Sequence, residues 1–330
     1  MKRFSNYVGI DVSKRTLDVV LFNVELKNKS PHIKVSNNSS GFLQLIKWLE
    51  SNSALPNDTL FCLEYTGIYS YAITSFLNQQ KLHYSLVSPL HMKRSIGLIR
   101  GKNDKVDAYQ ISRFCYNNRD EIVCTKSSME EVKKVKSLIS ERTRIIKLRT
   151  VSKVIISEKE YYNQGQIKRA KRLLAIFQNQ IKEIECEIEA LIESNFEIHK
   201  NYLLMRSVTG IGLVTAAMII AYTNNLSSIS DARKFAAYSG IAPFEHTSGT
   251  SVKGKTRVSP FANKKIKGAL SNGAKAAVKH DPELKIYYER KLKEGKEYGV
   301  VMNAVKFKMI TRVFATVKRG TPYVKLRQAG

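Results

Sequence analysis

Between residues 126 and 195 the chain has no proline and a single glycine, Gly165, and no run there has the alternation of a strand. Such a stretch, dominated by Lys, Arg, Glu, Ile and Leu, has little choice but helix. Leu173, Leu174, Ile176, Phe177, Ile181, Ile184 and Ile188 recur at helical spacing, which predicts two long helices broken near "NQGQ" (163–166). We read this as a coiled-coil arm. Its apolar stripe can be satisfied by an antiparallel hairpin of the chain's own helices or by a second copy. The arm, 126–198, separates two regions of different grammar, 1–125 and 199–330.

The first region alternates short β-rich runs with helical ones. "YVGIDVS" and "LDVVLFN" predict two strands joined by a polar turn, and "HIKVSN" predicts a third. Phe42, Leu45, Ile46 and Leu49 have helical spacing; a strand "TLFCLEY", a helix "IYSYAITSFLNQQ", a strand "HYSLVS" and a helix "DKVDAYQISRFCYN" follow. Three strands first, then strand and helix in alternation, is the order expected of a ribonuclease H-like (RuvC-like) α/β sheet. Asp11 lies inside the first apolar run, where its charge is costly to desolvate unless something positive meets it. Glu64 ends the run "FCLEYTG", and Asp104 and Asp107 stand three apart on one face of a helix's first turn. If the first and fourth strands are neighbours, these four carboxylates form a cluster of hard oxygens suited to Mg²⁺ or Mn²⁺, of the kind that promotes phosphoryl transfer. Each acid has a plainer reading. Asp104 and Asp107 can serve as a cap and a dipole-favoured acid, Glu64 can pair with a base, and Asp11 can form a turn. The hairpin around "GIDVSKRTLDVVLF" also resembles the first phosphate loop of actin-like ATPases and sugar kinases, but no second glycine-rich phosphate loop follows before the arm.

Beyond the arm, glycines return and the charge changes. The chain carries 55 Lys+Arg against 28 Asp+Glu, a formal +27, which points to a polyanionic partner and first of all to nucleic acid. Residues 249–330 concentrate the excess, with 20 Lys+Arg against 5 Asp+Glu. "LLMRSVTGIGLVTAAMIIAYTN" reads as helix, tight turn and helix, a helix-hairpin-helix in which Gly210 and Gly212 let backbone N–H groups approach a phosphate; a helix break inside an apolar bundle is the alternative. In "HTSGT", Ser248 sits in a glycine-bounded turn followed by Lys253, Lys255, Arg257, Lys264, Lys265 and Lys267, a nucleic-acid-binding set. Its hydroxyl needs a metal or a base such as His246 to become a nucleophile, and chemistry alone favours the plainer role of donating a hydrogen bond to a phosphate. Cys62, Cys115, Cys124 and Cys186 form no CxxC pair and read as reduced cysteines. The longest apolar stretch, "GIGLVTAAMIIAY", is shorter than the roughly 20 residues of a membrane span. We expect a soluble, cytoplasmic protein without a membrane partner.

As a set, "GIDVSK", "EYTG", "KNDKVDA" and "TGIG…YSGIAPFEHTSG" resemble the DEDD transposases of the insertion sequence 110 family, relatives of the Piv-type DNA invertases, over nearly the whole chain. The resemblance implies a RuvC-like nuclease domain (1–125), a coiled-coil arm (126–198) and a mainly helical C-terminal transposase domain (199–330). It implies that Asp11, Glu64, Asp104 and Asp107 are the catalytic, metal-binding acids and that Ser248 is the nucleophile, joined covalently to DNA. It further implies donor and target DNA as substrates, a structured bridge RNA as guide, and a dimer or tetramer as the working form. The segment "SGTSVKGK" departs from the family's usual glycine and base after "SG", so Ser251 competes with Ser248 for the nucleophile's place. A hydrolytic RuvC-like resolvase, or a non-catalytic nucleic-acid-binding protein, are the alternatives.

Overall fold

The computed structural model describes residues 4–23, 30–64, 67–87, 89–95, 103–125, 128–248 and 252–324; over 245–257 only the course of the backbone is described. The chain divides into two compact units, Met1–Ser127 and Ser128–Gly330.

In the first unit, β1 (Asn6–Val12) and β2 (Thr16–Asn23) form an antiparallel hairpin about Lys14 and Arg15, closed by Ser13 N–H donating to Thr16 O at 3.0 Å. Then come β3 (His32–Ser36), α1 (Ser39–Ser51), β4 (Thr59–Glu64), α2 (Tyr71–Gln79), β5 (His83–Val87), α3 (Pro89–Ser95) and α4 (Asp104–Asn117). The sheet order is β3-β2-β1-β4-β5, antiparallel in its first three strands and parallel where β4 and β5 join. This mixed sheet is compatible with a ribonuclease H-like domain, and β1 and β4 are neighbours as that reading requires.

Strand alternation sorts the side chains onto two faces. Val8, Ile10 and Val12 join Leu17, Val19, Leu21, Phe61 and Leu63 in the core beneath α1 and α2. The opposite face carries Tyr7, Leu60 and Cys62, packed against Ile111, Phe114 and Cys115 of α4. Gly9, Asp11 and Glu64 therefore belong to the α4 face. Gly9 is what lets α4 lie so close: a Cβ at that position would stand 2.0 Å from Ala108 O and 2.5 Å from Ser112 N. With Ala108 and Ser112 seated over Gly9, the first turn of α4 is carried one helical turn further, toward Asp11 at the strand's end.

In the second unit, α5 (Glu130–Ser157) and α6 (Gln164–Glu193) are joined by a short connection and pack against each other as an antiparallel pair. Asn163 and Gln166 cap α6 reciprocally, so Gly165 falls inside its first turn rather than in the break. Nε and Nη2 of Arg142 reach Glu185 Oε1 at 2.7 and 2.6 Å, which fixes the register of the pair. Ile181, Ile184 and Ile188 are buried as the stripe predicts; Leu173 and Ile176, from the same stripe, are exposed. The pair shares its core with α7 (Phe196–Arg206), α8 (Leu213–Thr223), α9 (Ala232–Tyr238), α10 (Lys264–His280) and α12 (Tyr298–Arg319), with α11 (Pro282–Lys293) contributing Leu284. Between α9 and α10 runs a two-stranded ribbon, β6 (Pro243–Ser248) and β7 (Val252–Val258). Among the described residues no helix is long and apolar enough to cross a membrane.

Candidate active site

The site is built where β1, β4 and α4 meet. Ile10 pairs with Leu63 across the parallel strands, so Asp11 and Glu64 leave adjacent strand ends side by side. The helix supplying the other two acids is capped by neither of them: Asn103 Oδ1 accepts from Val106 N–H at 2.8 Å. The capping role open to Asp104 is thus taken, and its carboxylate, like that of Asp107, is spare in the first turn, where the helix dipole favours negative charge.

Convergence of the acids shows in Asp11. Its carboxyl is pushed up from 3.8 to about 6, first by burial and then by the charges of Asp104, Asp107, Glu64 and Asp18. A half-buried carboxylate surrounded by four others lacks a cation. One cation already touches the cluster. Lys34 Nζ lies 3.0 Å from Asp18 Oδ2 and 3.7 Å from Asp104 Oδ2, and His32 Nε2 lies 2.9 Å from Asp18 Oδ1. The Lys34 ammonium is held above its usual pKa chiefly by its hydrogen bond to the buried Asp18.

Asp18, His32 and Lys34 were not among the sequence-predicted site residues, although the signal for Asp18 was present. Asp11 and Asp18 stand equally far from the Lys14–Arg15 turn, which makes them cross-strand partners. Among the described residues no three His, Cys, Asp or Glu side chains stand close enough together to hold a metal ion as they lie. The donor chemistry of Asp11, Glu64, Asp104 and Asp107 is nevertheless of the kind a hard divalent ion takes: carboxylate oxygens from two strands and a helix, with a charge excess that raises Asp11.

The other predicted residues belong to the second unit. Ser248 is the last residue of β6, opposite Val252, and His246 stands opposite Gly254. The sequence reading placed Ser248 in a turn, whereas it ends a strand; Ser251 lies outside the described residues. Lys253, Lys255 and Arg257 occupy alternate positions of β7. Lys264 and Lys265, both exposed, open α10 behind the Asn263 cap, and Lys267 follows one turn on.

The two glycines of the "TGIG" turn do different things. Gly210, at φ +90°, packs against α10, and a Cβ there would meet Gly273 O at 2.4 Å. Its missing side chain serves helix packing. Gly212 is the N-cap of α8 and has open space around it. Beside them Thr209 Oγ1 is buried without a hydrogen-bond partner.

A sheet with an acid-bearing helix laid across its first strand is compatible with the ribonuclease H-like class of DEDD transposases, and a transposase family model, DEDD_Tnp_IS110, matches residues 8–158, all four acids included. A second model, described as Transposase IS116/IS110/IS902 family, matches residues 202–289, which contain the glycine turn, Ser248 and the basic residues. Together these matches take in well over half of the chain, which belongs to the IS110 family of transposases. It is similar to the pilin gene-inverting protein of Moraxella lacunata, 24% identical over 327 residues covering 97% of this chain and 98% of that one. It is also similar to the insertion element IS110 43.6 kDa protein of Streptomyces coelicolor, 30% identical over 157 residues, 48% of this chain and 38% of that one.

Proposed function

We propose that the protein is a metal-dependent DNA recombinase of an insertion sequence. In this reading residues 1–125 form the nuclease domain, 126–198 the arm and 199–330 the domain that presents the nucleophile. The observation that carries it is the gathering of Asp11, Glu64, Asp104 and Asp107 at one end of the sheet, felt in the raised pKa of Asp11. A divalent ion held by these acids would supply Lewis-acid polarisation of the scissile phosphate.

Ser248 Oγ attacks that phosphorus. The Oγ–P bond forms as the P–O bond to one sugar breaks, and the serine proton ends on the released sugar hydroxyl. One phosphodiester is exchanged for another, so a second strand end can reverse the step without ATP. Lys253, Lys255, Arg257, Lys264, Lys265 and Lys267 hold backbone phosphates, and the open N-terminus of α8 at Gly212 offers N–H groups to another. Donor and target DNA are the substrates, and guidance by a bridge RNA follows from the family resemblance, as does cytoplasmic action.

Self-association through the arm is supported by exposed apolar residues. Val151 and Val154 of α5 and Leu173 and Ile176 of α6 are all exposed, and they offer apolar surface to a second copy.

The test is to trap the reaction in denaturant. The wild-type chain should give a covalent protein–DNA species that Ser248→Ala abolishes while DNA binding survives, and Asp104→Asn should stop strand cleavage with assembly unchanged. An adduct that persists in Ser248→Ala removes that serine from the mechanism; cleavage by wild type with no adduct identifies a hydrolytic resolvase.

A further inference from the structure

Away from the acids, the second unit buries a lysine that nothing above uses. Lys306, in α12, is 6% exposed. Its Nζ donates to Ser271 Oγ at 3.2 Å, and that hydroxyl in turn donates to Lys267 O at 2.8 Å. A neutral hydroxyl is a poor partner for a buried ammonium, and no carboxylate offsets it among the described residues. Burial, and after it the charge of another cation, Lys267, lowers the pKa of Lys306. Such an arrangement is costly in the free protein and becomes favourable when an anion arrives.

Space for an anion lies beside it. A cleft of about 360 Å³ is lined by Ser271 and Lys275 of α10 and by Tyr298, Gly299, Asn303 and Lys306 of α12. The first turn of α12 thus forms one wall, and first-turn N–H groups point out of a helix without intrahelical acceptors. Gly299 has nothing within 4 Å of where a Cβ would be, so the backbone there is open to approach. Among the described residues that line the cleft, the opposing charge is Glu297, the exposed N-cap residue of α12.

We propose that this cleft binds a backbone phosphate of a nucleic acid, with Lys306 as its buried cation, Lys275 as its outer cation, and Ser271, Asn303 and the Gly299 amide as hydrogen-bond donors. The choice of nucleic acid as the source of the phosphate rests on the proposed function. The cleft adjoins Lys267 of the basic set above, and Lys306 adds to that set a cation that is buried. Because the contact is to phosphate, it strengthens binding without reading sequence.

The test uses the full chain and the near-isosteric Lys306→Met. Inorganic phosphate, set against chloride at equal ionic strength, should raise the thermal midpoint of the wild type more than that of Lys306→Met. In binding titrations from about 50 to about 200 mM KCl, the plot of log affinity against log salt should lose about 0.9 of its slope on duplex DNA or about 0.7 on single-stranded RNA. The arm that moves identifies the ligand. The loss should be the same for every sequence tried, and at low salt the variant should bind on the order of tenfold more weakly. Lys275→Ala, on an exposed residue, should reduce the slope likewise, and decides the matter if Lys306→Met does not fold. Glu297→Gln should tighten binding.

Slopes unchanged in both lysine variants, on DNA and on RNA, overturn the cleft as a phosphate site. The recombinase reading survives that result if the wild type still binds DNA with a steep salt dependence and cuts it. A wild-type chain with no salt-dependent nucleic-acid binding overturns both.

Discussion

Replacing Asp11 by Asn should make the metal-free protein more stable. An acid moved from 3.8 to about 6 on folding binds more protons in the folded than in the unfolded chain between those two values, so stability falls as pH rises through that window and the full penalty applies above it. At face value the shift corresponds to about 3 kcal/mol. Asp11 is only half-buried, and solvent screening brings the expected gain for Asp11→Asn down to roughly 1–2 kcal/mol above pH 6, shrinking toward zero near pH 4. The protein's single tryptophan makes the measurement selective: Trp48, on α1, packs against the core of the first unit, so its fluorescence in a urea titration follows that unit. The assay is run in EDTA at several pH values, then repeated with Mg²⁺. Mg²⁺ should stabilise the wild type by linkage and stabilise Asp11→Asn far less. A variant that is equally or less stable at every pH, or one that gains as much from Mg²⁺ as the wild type, would refute a crowded acid cluster awaiting a cation.

Gly9→Ala should prise α4 from the sheet, cost about 3 kcal/mol or more by the same tryptophan signal, and lower strand cleavage although no acid is changed. Gly210→Ala should destabilise the second unit by at least about 2 kcal/mol, from the positive φ and the clash with Gly273 O, in thermal melts followed by circular dichroism. Gly212→Ala should lower that melt far less than Gly210→Ala and weaken DNA binding in filter assays, since of the two turn glycines it is the one with open space around it. Val151→Glu together with Ile176→Lys should lower the molecular mass seen by light scattering without loss of helix content.

How much the sequence disclosed depended on whether the signal was local. The strands and helices of the first unit are legible because their apolar runs have the right period, and the neighbouring of β1 and β4 follows from the order of elements. Asp18 and Lys34 were missed because their importance arises from pairing: Asp18 faces Asp11 across the hairpin, and Lys34 faces Asp18 across the next strand pair. Gly210 looked like a phosphate-binding glycine because its partner, Gly273, is far along the chain and no spacing rule links the two. The ribbon around Ser248 was read as a turn because "VKGKTRV" lacks the apolar alternation of a buried strand. The arm's stripe was read correctly where it enters the bundle, at Ile181, Ile184 and Ile188, and overextended toward its far end, where Leu173 and Ile176 are exposed.

The seating of α4 on Gly9 also has a temporal side. Asp11 and Glu64 emerge early in synthesis, but they acquire their companions only when a helix that ends at Asn117 has left the ribosome and settled onto a glycine made long before. A nascent or truncated chain that stops short of that helix holds two acids of the four. Under the proposed function such a product would lack half of the metal-binding acids and, ending before the second unit, the Ser248 nucleophile as well.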